Sequence, residues 1–459
     1  MISKREASCV EIIEAHLQHI DSYNPTINAI VTHTKDIALE HAVRADHALV
    51  KNPESCGPLH GLPIAHKDMM LTKGIRTTFG STTKRDFIPT ENSLIVERQQ
   101  QAGAIMLGKT NTPEYGAGSH TFNEVFGVTR NPYDLNKSPG GSSGGAAAAL
   151  ASGMVCLADG SDMGGSLRNP AAWCNVVGLR PTPGRVPSAP SKFPLTPLPV
   201  EGPMARNVAD LALMLQAISK PHKKSPLSQQ LPEQDFSEEL QRDFKGTKIA
   251  VSADFDGQLP IETEIVDAIT AGASVFADLG IHIETALPDL SLANDAFHTL
   301  RAEFYAGMLG ETLDQHRDQY KKTLVWNIEK GLQLQPGQIS RAQKNLQQTC
   351  SNFNELFKQY EFLMLPVTQV SPFPAEDEYP KNIENIDMDS YIDWMKSCYL
   401  ITVAGCPAIS IPCGFTEEGM PIGMQIVGRQ GNDFGVLQIA YAFEQATNYS
   451  QRKPELVSL

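Results

Sequence analysis

The stretch Ser138-Pro-Gly-Gly-Ser-Ser-Gly-Gly145 is followed by an alanine-rich run over 146–151 and then by Gly160-Ser-Asp-Met-Gly-Gly-Ser166. Both ends of this region place serines among glycines. Glycines let another group approach the backbone closely, and they let backbone N–H groups turn toward one point. Two such sites joined by a helix-like run predict the floor of a pocket.

We expect Lys67 to face this floor. It lies near the end of Gly57-Pro-Leu-His-Gly-Leu-Pro-Ile-Ala-His-Lys-Asp68. Pro63 cannot donate to a strand ladder, so it is expected at the start of a strand that runs through Lys67. Lysine is almost never fully buried without a partner. A solvated lysine at the strand end is therefore the open alternative.

The composition bounds the class of protein. The chain has 459 residues, of which 41% are hydrophobic and 20% charged, as is ordinary for a globular protein. The net charge of −14 argues against a large basic face for nucleic acid. No apolar run reaches the roughly 18 residues of a membrane span, and Met1–Glu6 lacks the apolar core of a secretion signal.

Cysteine and histidine usage gives no sign of a metal centre. The eight cysteines are scattered without a C-x-x-C pair, and we interpret them as reduced thiols of a cytosolic protein. The twelve histidines show no H-E-x-x-H or similar spacing. The sequence therefore predicts neither a metal nor a cofactor.

Residues 103–110 match the phosphate-loop pattern, with Gly103, Gly108, Lys109 and Thr110 at the required positions. The apolar residues between the two glycines favour a buried strand instead. A turn at 111–113 follows, where a phosphate loop continues directly into a helix. We therefore reject nucleotide binding.

Residues 140–144 match the G-x-S-x-G nucleophile elbow of α/β-hydrolases. That elbow needs a strand running into the serine, whereas 131–139 is turn material. A serine–histidine hydrolase on Ser142 or Ser143 stays a weaker alternative, with the histidine drawn from His222, His282, His298 and His316.

Helical periodicity predicts the N-terminal elements. Ser8 and Glu11 form a capping box before a helix that we expect to end at Asn24-Pro25. A second helix is predicted over 34–50. Further along, Asn207 is expected to cap another amphipathic helix.

The second half of the chain alternates strand and helix signals. Residues 247–286 have the pattern of a strand, a helix and a strand, and 291–360 are mostly helical. Buried strands are predicted at 362–365 and, as a pair joined by a turn, within 405–428. The polar segment 221–244 is the best candidate for a linker.

A serine nucleophile needs a neighbour that takes its proton. No histidine lies in either glycine-rich stretch. Lysine can serve when burial lowers its pKa, and a second serine can relay the proton. Two glycines before Ser166 would let backbone N–H groups face a developing oxyanion.

Several motifs, in order along most of the chain, resemble those of the amidase signature family: Gly57–Asp68, Gly108–Glu114, Gly140–Gly145, Gly160–Arg168, Gly178–Pro181 and Gly405–Gly428. The resemblance implies one α/β domain over 1–459, with a mixed central β-sheet covered by helices on both faces. It further implies a signature core over about 57–205, N-terminal helices over 8–50 packed on that core, and a variable substrate-pocket segment over about 291–400.

The same resemblance implies roles for individual residues. Ser166 is the acyl nucleophile, and Ser142, which follows a cis peptide bond, connects it to the general base Lys67. The oxyanion hole would use the backbone N–H groups of Met163, Gly164, Gly165 and Ser166. Supporting roles fall to Ser143, by hydrogen bonding, and to Asp162 and Arg168, which would hold the loop. An ordinary surface ion pair is the alternative for these last two residues.

The resemblance favours a free-standing amidase that hydrolyses a small carboxylic amide to an acid plus ammonia or an amine. The alternative is the A subunit of a glutamyl-tRNA amidotransferase, a glutaminase that needs partner subunits. That protein usually carries a Ser-Leu-Asp-Gln segment before Gly-Pro, whereas 196–203 read Thr-Pro-Leu-Pro-Val-Glu-Gly-Pro. Arg180 and Trp173 also replace the usual Lys and Phe. A catalytically silent amidase-like scaffold is a further alternative, against which the retained lysine and serines argue.

The expected ligand is a small-molecule amide. No cofactor, direct nucleic-acid contact or membrane association is implied, and the choice between a monomer and a homodimer stays open.

Overall fold

A mixed β-sheet runs through the computed structural model, which describes residues 1–231 and 234–457. Its eleven strands lie in the order β1-β3-β2-β6-β8-β7-β14-β15-β11-β9-β10, and two small two-stranded ribbons, β4-β5 and β12-β13, lie outside it. The strands are β1 (Ile30–His33), β2 (Pro63–Lys67), β3 (Ile105–Thr110), β4 (Phe122–Asn123), β5 (Gly127–Val128), β6 (Leu157–Asp162), β7 (Val177–Arg180), β8 (Val200–Ala205), β9 (Lys248–Val251), β10 (His282–Thr285), β11 (Phe362–Pro366), β12 (Asn382–Ile383), β13 (Ile386–Asp387), β14 (Ala408–Phe415) and β15 (Pro421–Gly428).

Helices surround this sheet. Within the described ranges they are α1 (Cys9–Ile27), α2 (Lys35–Lys51), α3 (Leu94–Gln101), α4 (Gly144–Ala151), α5 (Arg168–Trp173), α6 (Val208–Ile218), α7 (Thr263–Asp278), α8 (Ala293–Leu309), α9 (Leu313–His316), α10 (Lys322–Leu332), α11 (Pro336–Leu356), α12 (Lys396–Val403) and α13 (Asp433–Thr447). None of these helices is long and apolar enough to cross a membrane.

The sheet separates two apolar cores. Ile64 of β2 packs into a cluster with residues of α3, α6, α7 and α13, whereas its neighbour Ala65 packs into a cluster with residues of α1, α2 and α4. Alternate residues of a strand point to opposite faces. Lys67 is therefore directed toward the face that carries α4, and His66 toward the other face.

The sheet is mixed, as expected. β2 pairs in parallel with β3 and β6, and β9 pairs in parallel with β10 and β11. The pairs β6–β8, β7–β8, β7–β14, β14–β15 and β11–β15 are antiparallel. The strand–helix–strand unit predicted over 247–286 and the strand pair predicted in the tail are both confirmed.

The first helix is longer than its sequence suggests. The capping box of Ser8 and Glu11 is present, but α1 runs through Pro25 to Ile27 and ends at Asn28, whose left-handed conformation closes it. The side chain of Asn24 leaves the helix and bonds the backbone of Ile30. Pro25 costs the helix one N–H donor in its last turn, but the cap at Asn28 and the bonds of Asn24 to Ile30 hold that turn, so the predicted stop at Asn24-Pro25 is wrong.

The polar segment 221–244 is not a linker between domains. Over its described residues it has no helix or strand, but the side chains of Phe236, Leu240 and Phe244 are buried in the larger core. One sheet also contains β8 before the segment and β9 after it. The segment is polar in composition, but its three buried apolar side chains fix it to the core. Residues 232–233 of the predicted segment lie outside the described residues.

Candidate active site

The side chain of Lys67 ends in a group of hydroxyls. Its Nζ lies 2.7 Å from Oγ of Ser142, 3.0 Å from Oγ of Ser143 and 3.0 Å from Oγ of Ser161. Lys67 is fully buried, so the alternative of a solvated lysine is wrong. Strand β2 delivers the lysine, and helix α4 begins directly after Ser143, which places both serines at the helix N-terminus.

Burial lowers the pKa of Lys67 to about 7, although the negative charges of Asp162 and Asp159 oppose this shift. Among the described residues no carboxylate bonds Nζ or lies within ion-pair distance of it. A neutral amine donates two hydrogen bonds and accepts one. Three hydroxyl neighbours therefore satisfy a neutral Lys67, with its lone pair available for a serine proton.

The two neighbours of Lys67 in the chain point elsewhere, as strand alternation predicts. Nδ1 of His66 lies 2.5 Å from Oδ2 of Asp159, while Oδ1 of the same carboxylate accepts a 2.8 Å hydrogen bond from the backbone N–H of Lys67. The carboxylate of Asp68 accepts from the backbone N–H and the hydroxyl of Thr78. Neither side chain reaches the serines.

Asp162 and Arg168 form a buried ion pair under the loop that carries Ser166. Nε of Arg168 donates to one carboxylate oxygen and Nη2 to the other, each at 3.0 Å, and both side chains have no exposed surface. Asp162 also accepts backbone hydrogen bonds from Gly165 and Leu167. Against the opposing effect of burial, the positive charges of Arg168 and of the nearby Arg180, together with the Gly165 hydrogen bond, lower the pKa of Asp162 to about 2. The alternative of a surface ion pair is therefore wrong.

Arg168 also connects the loop to distant parts of the chain. Its Nη1 donates to the carbonyl of Cys398 and to Oε1 of Gln425, and its Nη2 donates to Oγ1 of Thr402. Helix α12 and strand β15 are thereby joined to the residues around Ser166. The planar guanidinium suits this geometry because its donors are fixed in a fork.

The loop from Met163 to Ser166 presents backbone donors. Gly165 has φ +107, and a Cβ there would lie 2.6 Å from Cβ of Cys398, so only glycine fits. Its N–H already donates to Asp162. Met163, Gly164 and Ser166 also belong to the predicted oxyanion hole. Within the described residues their backbone N–H groups have no hydrogen-bond acceptor, so they are free to bind an oxyanion.

Ser142 and Ser166 line the same cavity, which has a volume of about 520 Å³. The Gly141–Ser142 peptide bond is cis. Ser166 is 9% exposed and Ser142 is 2% exposed, so Ser166 is the more accessible of the two residues. The backbone N–H of Ser143 donates to the carbonyl of Ser166 at 3.2 Å. Over the described part of the chain no hydrogen bond joins the two hydroxyls directly; such contacts often tighten only when substrate binds.

The walls of the cavity are mostly apolar. The segment predicted to vary with substrate, 291–400, contributes three residues of α8, and the irregular stretch before β8 supplies much of the remainder. The apolar lining includes Met69, Leu71, Phe79, Tyr115, Val186, Phe193, Phe304, Tyr305 and Met308.

Sequence reasoning missed Ser161, the third hydroxyl on Lys67. Its place within the 160–166 stretch is the one signal that could have pointed to it.

The geometry does not support the phosphate loop at 103–110 or the nucleophile elbow at 140–144. Residues 103–110 contain strand β3 with a buried Lys109, and no strand enters the serines at 142–143. Among the described residues no histidine bonds either of these serines, and no His, Cys, Asp or Glu group could hold a metal.

Comparison with known proteins defines the class. The family model described as Amidase matches residues 11–437. The chain belongs to the amidase signature family, whose enzymes hydrolyse carbon–nitrogen amide bonds.

The relatives found by sequence are amidotransferase A subunits. The A subunit of the glutamyl-tRNA(Gln) amidotransferase from Geobacillus kaustophilus is 36% identical over 487 residues, covering 99% of this chain and 97% of the relative. Its counterpart from Moorella thermoacetica is 34% identical over 485 residues, with 99% and 97% covered. These relatives support the amidotransferase alternative better than the free-standing amidase that the sequence motifs favoured.

Among solved structures, a bacterial aryl acylamidase of the amidase signature family superimposes with a TM-score of 0.92 at 30% identity, covering 98% of this chain and 95% of that one. A 6-aminohexanoate cyclic dimer hydrolase with bound substrate gives a TM-score of 0.88 at 26% identity, with 98% and 96% covered. The expected fold, a single α/β domain with a large mixed sheet flanked by helices, is thereby confirmed.

Proposed function

We propose that this protein hydrolyses a carboxylic amide through an acyl-enzyme on Ser166, with Ser142 as proton relay and Lys67 as general base. The contact between Nζ of Lys67 and Oγ of Ser142 carries the proposal. A buried lysine with a lowered pKa and no bound carboxylate is suited to accept a proton.

The reaction then has two halves. Oγ of Ser166 attacks the amide carbonyl carbon, and its proton moves to Ser142 as the Ser142 proton moves to Lys67. The oxyanion accepts hydrogen bonds from free backbone N–H groups of the 163–166 loop. When the C–N bond breaks, the relay returns the proton to the departing nitrogen. Water repeats the attack on the ester, and the acid is released.

Supporting residues keep this geometry in place. Ser143 and Ser161 accept the two N–H bonds of a neutral Lys67 amine and so orient its lone pair toward Ser142. Asp162 and Arg168 hold the loop that carries Ser166. None of them takes part in bond making or breaking.

Two substrate classes have separate support. The apolar cavity walls favour a free-standing amidase for an amide with an apolar acyl or amine part. The full-length similarity to amidotransferase A subunits favours a glutaminase that works with partner subunits. A homodimer, a cytosolic location and the division into a 57–205 core with a 291–400 pocket segment remain predictions.

An amide panel tests the function. The purified chain alone would be assayed for release of ammonia or amine from aliphatic, aromatic and amino-acid amides, glutamine included. The Ser166→Ala variant, which loses one hydroxyl, is the matched control. Turnover of apolar amides by the lone chain supports the free-standing amidase. Glutaminase activity that needs a co-purifying partner supports the amidotransferase. Without either activity, and without labelling by a serine-directed phosphonate, the scaffold alternative would hold.

A further inference from the structure

Glu201 is an acidic side chain in the cavity for which the proposed mechanism has no use. It lies on β8 and, with Asp162, is one of the two carboxylates that line the cavity within the described residues. Asp162 is neutralised by Arg168. Glu201 takes part in no ion pair within the described part of the chain.

The two oxygens of the Glu201 carboxyl differ. Oε1 accepts a 2.7 Å hydrogen bond from the hydroxyl of Ser188, which fixes the group. Oε2 is buried and has no hydrogen-bond partner among the described residues. Leaving a buried polar atom without a partner is costly, so this oxygen has the chemistry of a vacant acceptor.

The register of the sheet places this carboxyl beside the reaction centre. Glu201 lies directly opposite Ser161 in the antiparallel pair of β6 and β8. Such residues have Cβ atoms roughly 4.5–5.5 Å apart, on the same face of the sheet. Oγ of Ser161 in turn accepts from Nζ of Lys67. Glu201 and Ser166 line the same cavity, so one small molecule bound there can contact both.

Of the two carboxylates in the cavity lining within the described residues, Glu201 is the one without a cationic partner. Lys192, a lining cation, donates to the carbonyl of Met308 and forms no ion pair with Glu201 within the described residues, and most remaining walls are apolar. A carboxylate in apolar surroundings gains most from a partner of opposite charge. We propose that Glu201 is a specificity-determining residue that accepts a hydrogen bond from a primary ammonium group of the substrate, outside the scissile amide. This inference rests on the proposed function only in taking the cavity as the substrate site.

The ionisation of both groups fits this assignment. Burial raises the pKa of Glu201 to about 7, and the negative charge of Asp159 adds to the shift. At about pH 8 the carboxyl is ionised, while an alkylammonium, like a lysine side chain with a pKa of about 10.4, stays protonated.

Binding of two simple probes tests the inference. Hexylammonium and hexan-1-ol have the same apolar chain and differ in charge. Their dissociation constants would be measured by titration calorimetry at about pH 8 on the whole chain. We expect the wild-type protein to prefer hexylammonium by about tenfold to a hundredfold, as for a hydrogen bond to a charged group. Equal affinities for the two probes would overturn the inference, whatever any variant does.

Variants of Glu201 test whether this residue causes the preference for hexylammonium. Glu201→Gln keeps the size of the side chain and loses its charge, so the preference should fall to about twofold or less with hexan-1-ol binding unchanged. Glu201→Asp keeps the charge and should keep part of the preference. A preference that survives in Glu201→Gln would place the ammonium elsewhere and contradict the inference.

The outcome is separable from that of the proposed function, because binding needs no turnover. A protein that prefers hexylammonium but is never labelled at Ser166 would contradict the acyl-enzyme and leave the inference standing. A protein that is labelled at Ser166 but shows no preference would contradict the inference alone.

Discussion

The Nζ atom of Lys67 lies 2.7 Å from Oγ of Ser142, and both residues are shielded from solvent. The position of this lysine follows from strand alternation, which sends His66 and Lys67 to opposite faces of the sheet. Burial lowers the pKa of this lysine and so favours its neutral form. A lysine that acts as a base and one that acts as a fixed cation respond differently to pH and to substitution, so the two roles can be separated.

The activity should depend on the protonation of Lys67. Because the base must be neutral, kcat/KM should rise with pH through a midpoint near 7, the pKa to which burial lowers this lysine, and reach a plateau on the alkaline side. Lys67→Ala should remove this titration and slow the reaction by about a hundredfold to ten-thousandfold. Lys67→Arg should not restore it, because guanidinium stays charged. Near-normal rates in Lys67→Arg would show that lysine serves as a fixed cation.

His66 should be needed for stability and not for catalysis. His66→Gln weakens the contact with the buried Asp159, so we expect a loss of about 1–3 kcal/mol in the free energy of unfolding. The pH profile of kcat/KM should keep its midpoint, and the rate should stay far above that of Lys67→Ala. Thermal unfolding and kinetics on the same preparation check both points. A loss of activity as deep as in Lys67→Ala would mean that Lys67 is not the sole base.

The Asp162–Arg168 pair should dominate the stability of the Ser166 loop. Arg168→Met removes the bidentate partner of a buried carboxylate, which keeps only Arg180 at 3.6 Å, and should cost up to about 3–5 kcal/mol at neutral pH. The matched control is Lys358→Met, which breaks an exposed pair with Glu355 and should cost about 1 kcal/mol or less. Denaturant unfolding of both variants measures the difference, and equal losses would contradict a structural role for the buried pair.

The same pair predicts how stability changes in acid. The folded pKa of Asp162 is lowered to about 2, below an unfolded value of about 3.9. Its contribution is therefore complete above about pH 4 and is lost as the pH falls toward 2. The gap in unfolding free energy between wild type and Arg168→Met should narrow over that window. A gap that stays constant down to about pH 2 would contradict this assignment.

Gly165→Ala should disturb the loop in two ways, because φ is +107 and the new Cβ would meet Cys398 at 2.6 Å. Gly246→Ala provides the control, since φ there is +81 and no atom lies within 4 Å of the added Cβ. The control should lose about 1–2 kcal/mol from backbone strain and keep its activity. Gly165→Ala should lose more stability and most of its phosphonate labelling rate. Equal stability and labelling in the two variants would show that the close contacts of Gly165 with Asn169 and Cys398 do not matter.

Much of the fold could be predicted because local patterns agreed with the final packing. The capping box of α1, Pro63 at the start of β2 and the strand pair of the tail each depend on a few neighbouring residues. The end of α1 could not be predicted, since the side chain of Asn24 is stabilised by contacts with β1. The packing of 221–244 likewise depends on a core formed by distant segments.

In the candidate site, too, some residues could be predicted from the local sequence, whereas the surroundings of others depend on distant segments. Lys67, Ser142 and Ser166 stand out because glycine-rich surroundings and an unusual lysine are visible in the chain itself. The burial of Asp162 and Arg168 depends on α12 and β15, more than 200 residues away from Arg168 in sequence. The engagement of the Gly165 N–H by Asp162 depends on loop geometry, which composition does not determine.

The identity of the nucleophile tests the central claim most directly. The wild-type chain would be labelled with a serine-directed fluorophosphonate, digested, and analysed by mass spectrometry to locate the adduct. Ser166→Ala, checked for unaltered thermal unfolding, serves as the control. We predict a single adduct on Ser166 in the wild type and none in the variant. An adduct on Ser142 or Ser143 would contradict the proposed mechanism and favour a hydrolase elbow instead.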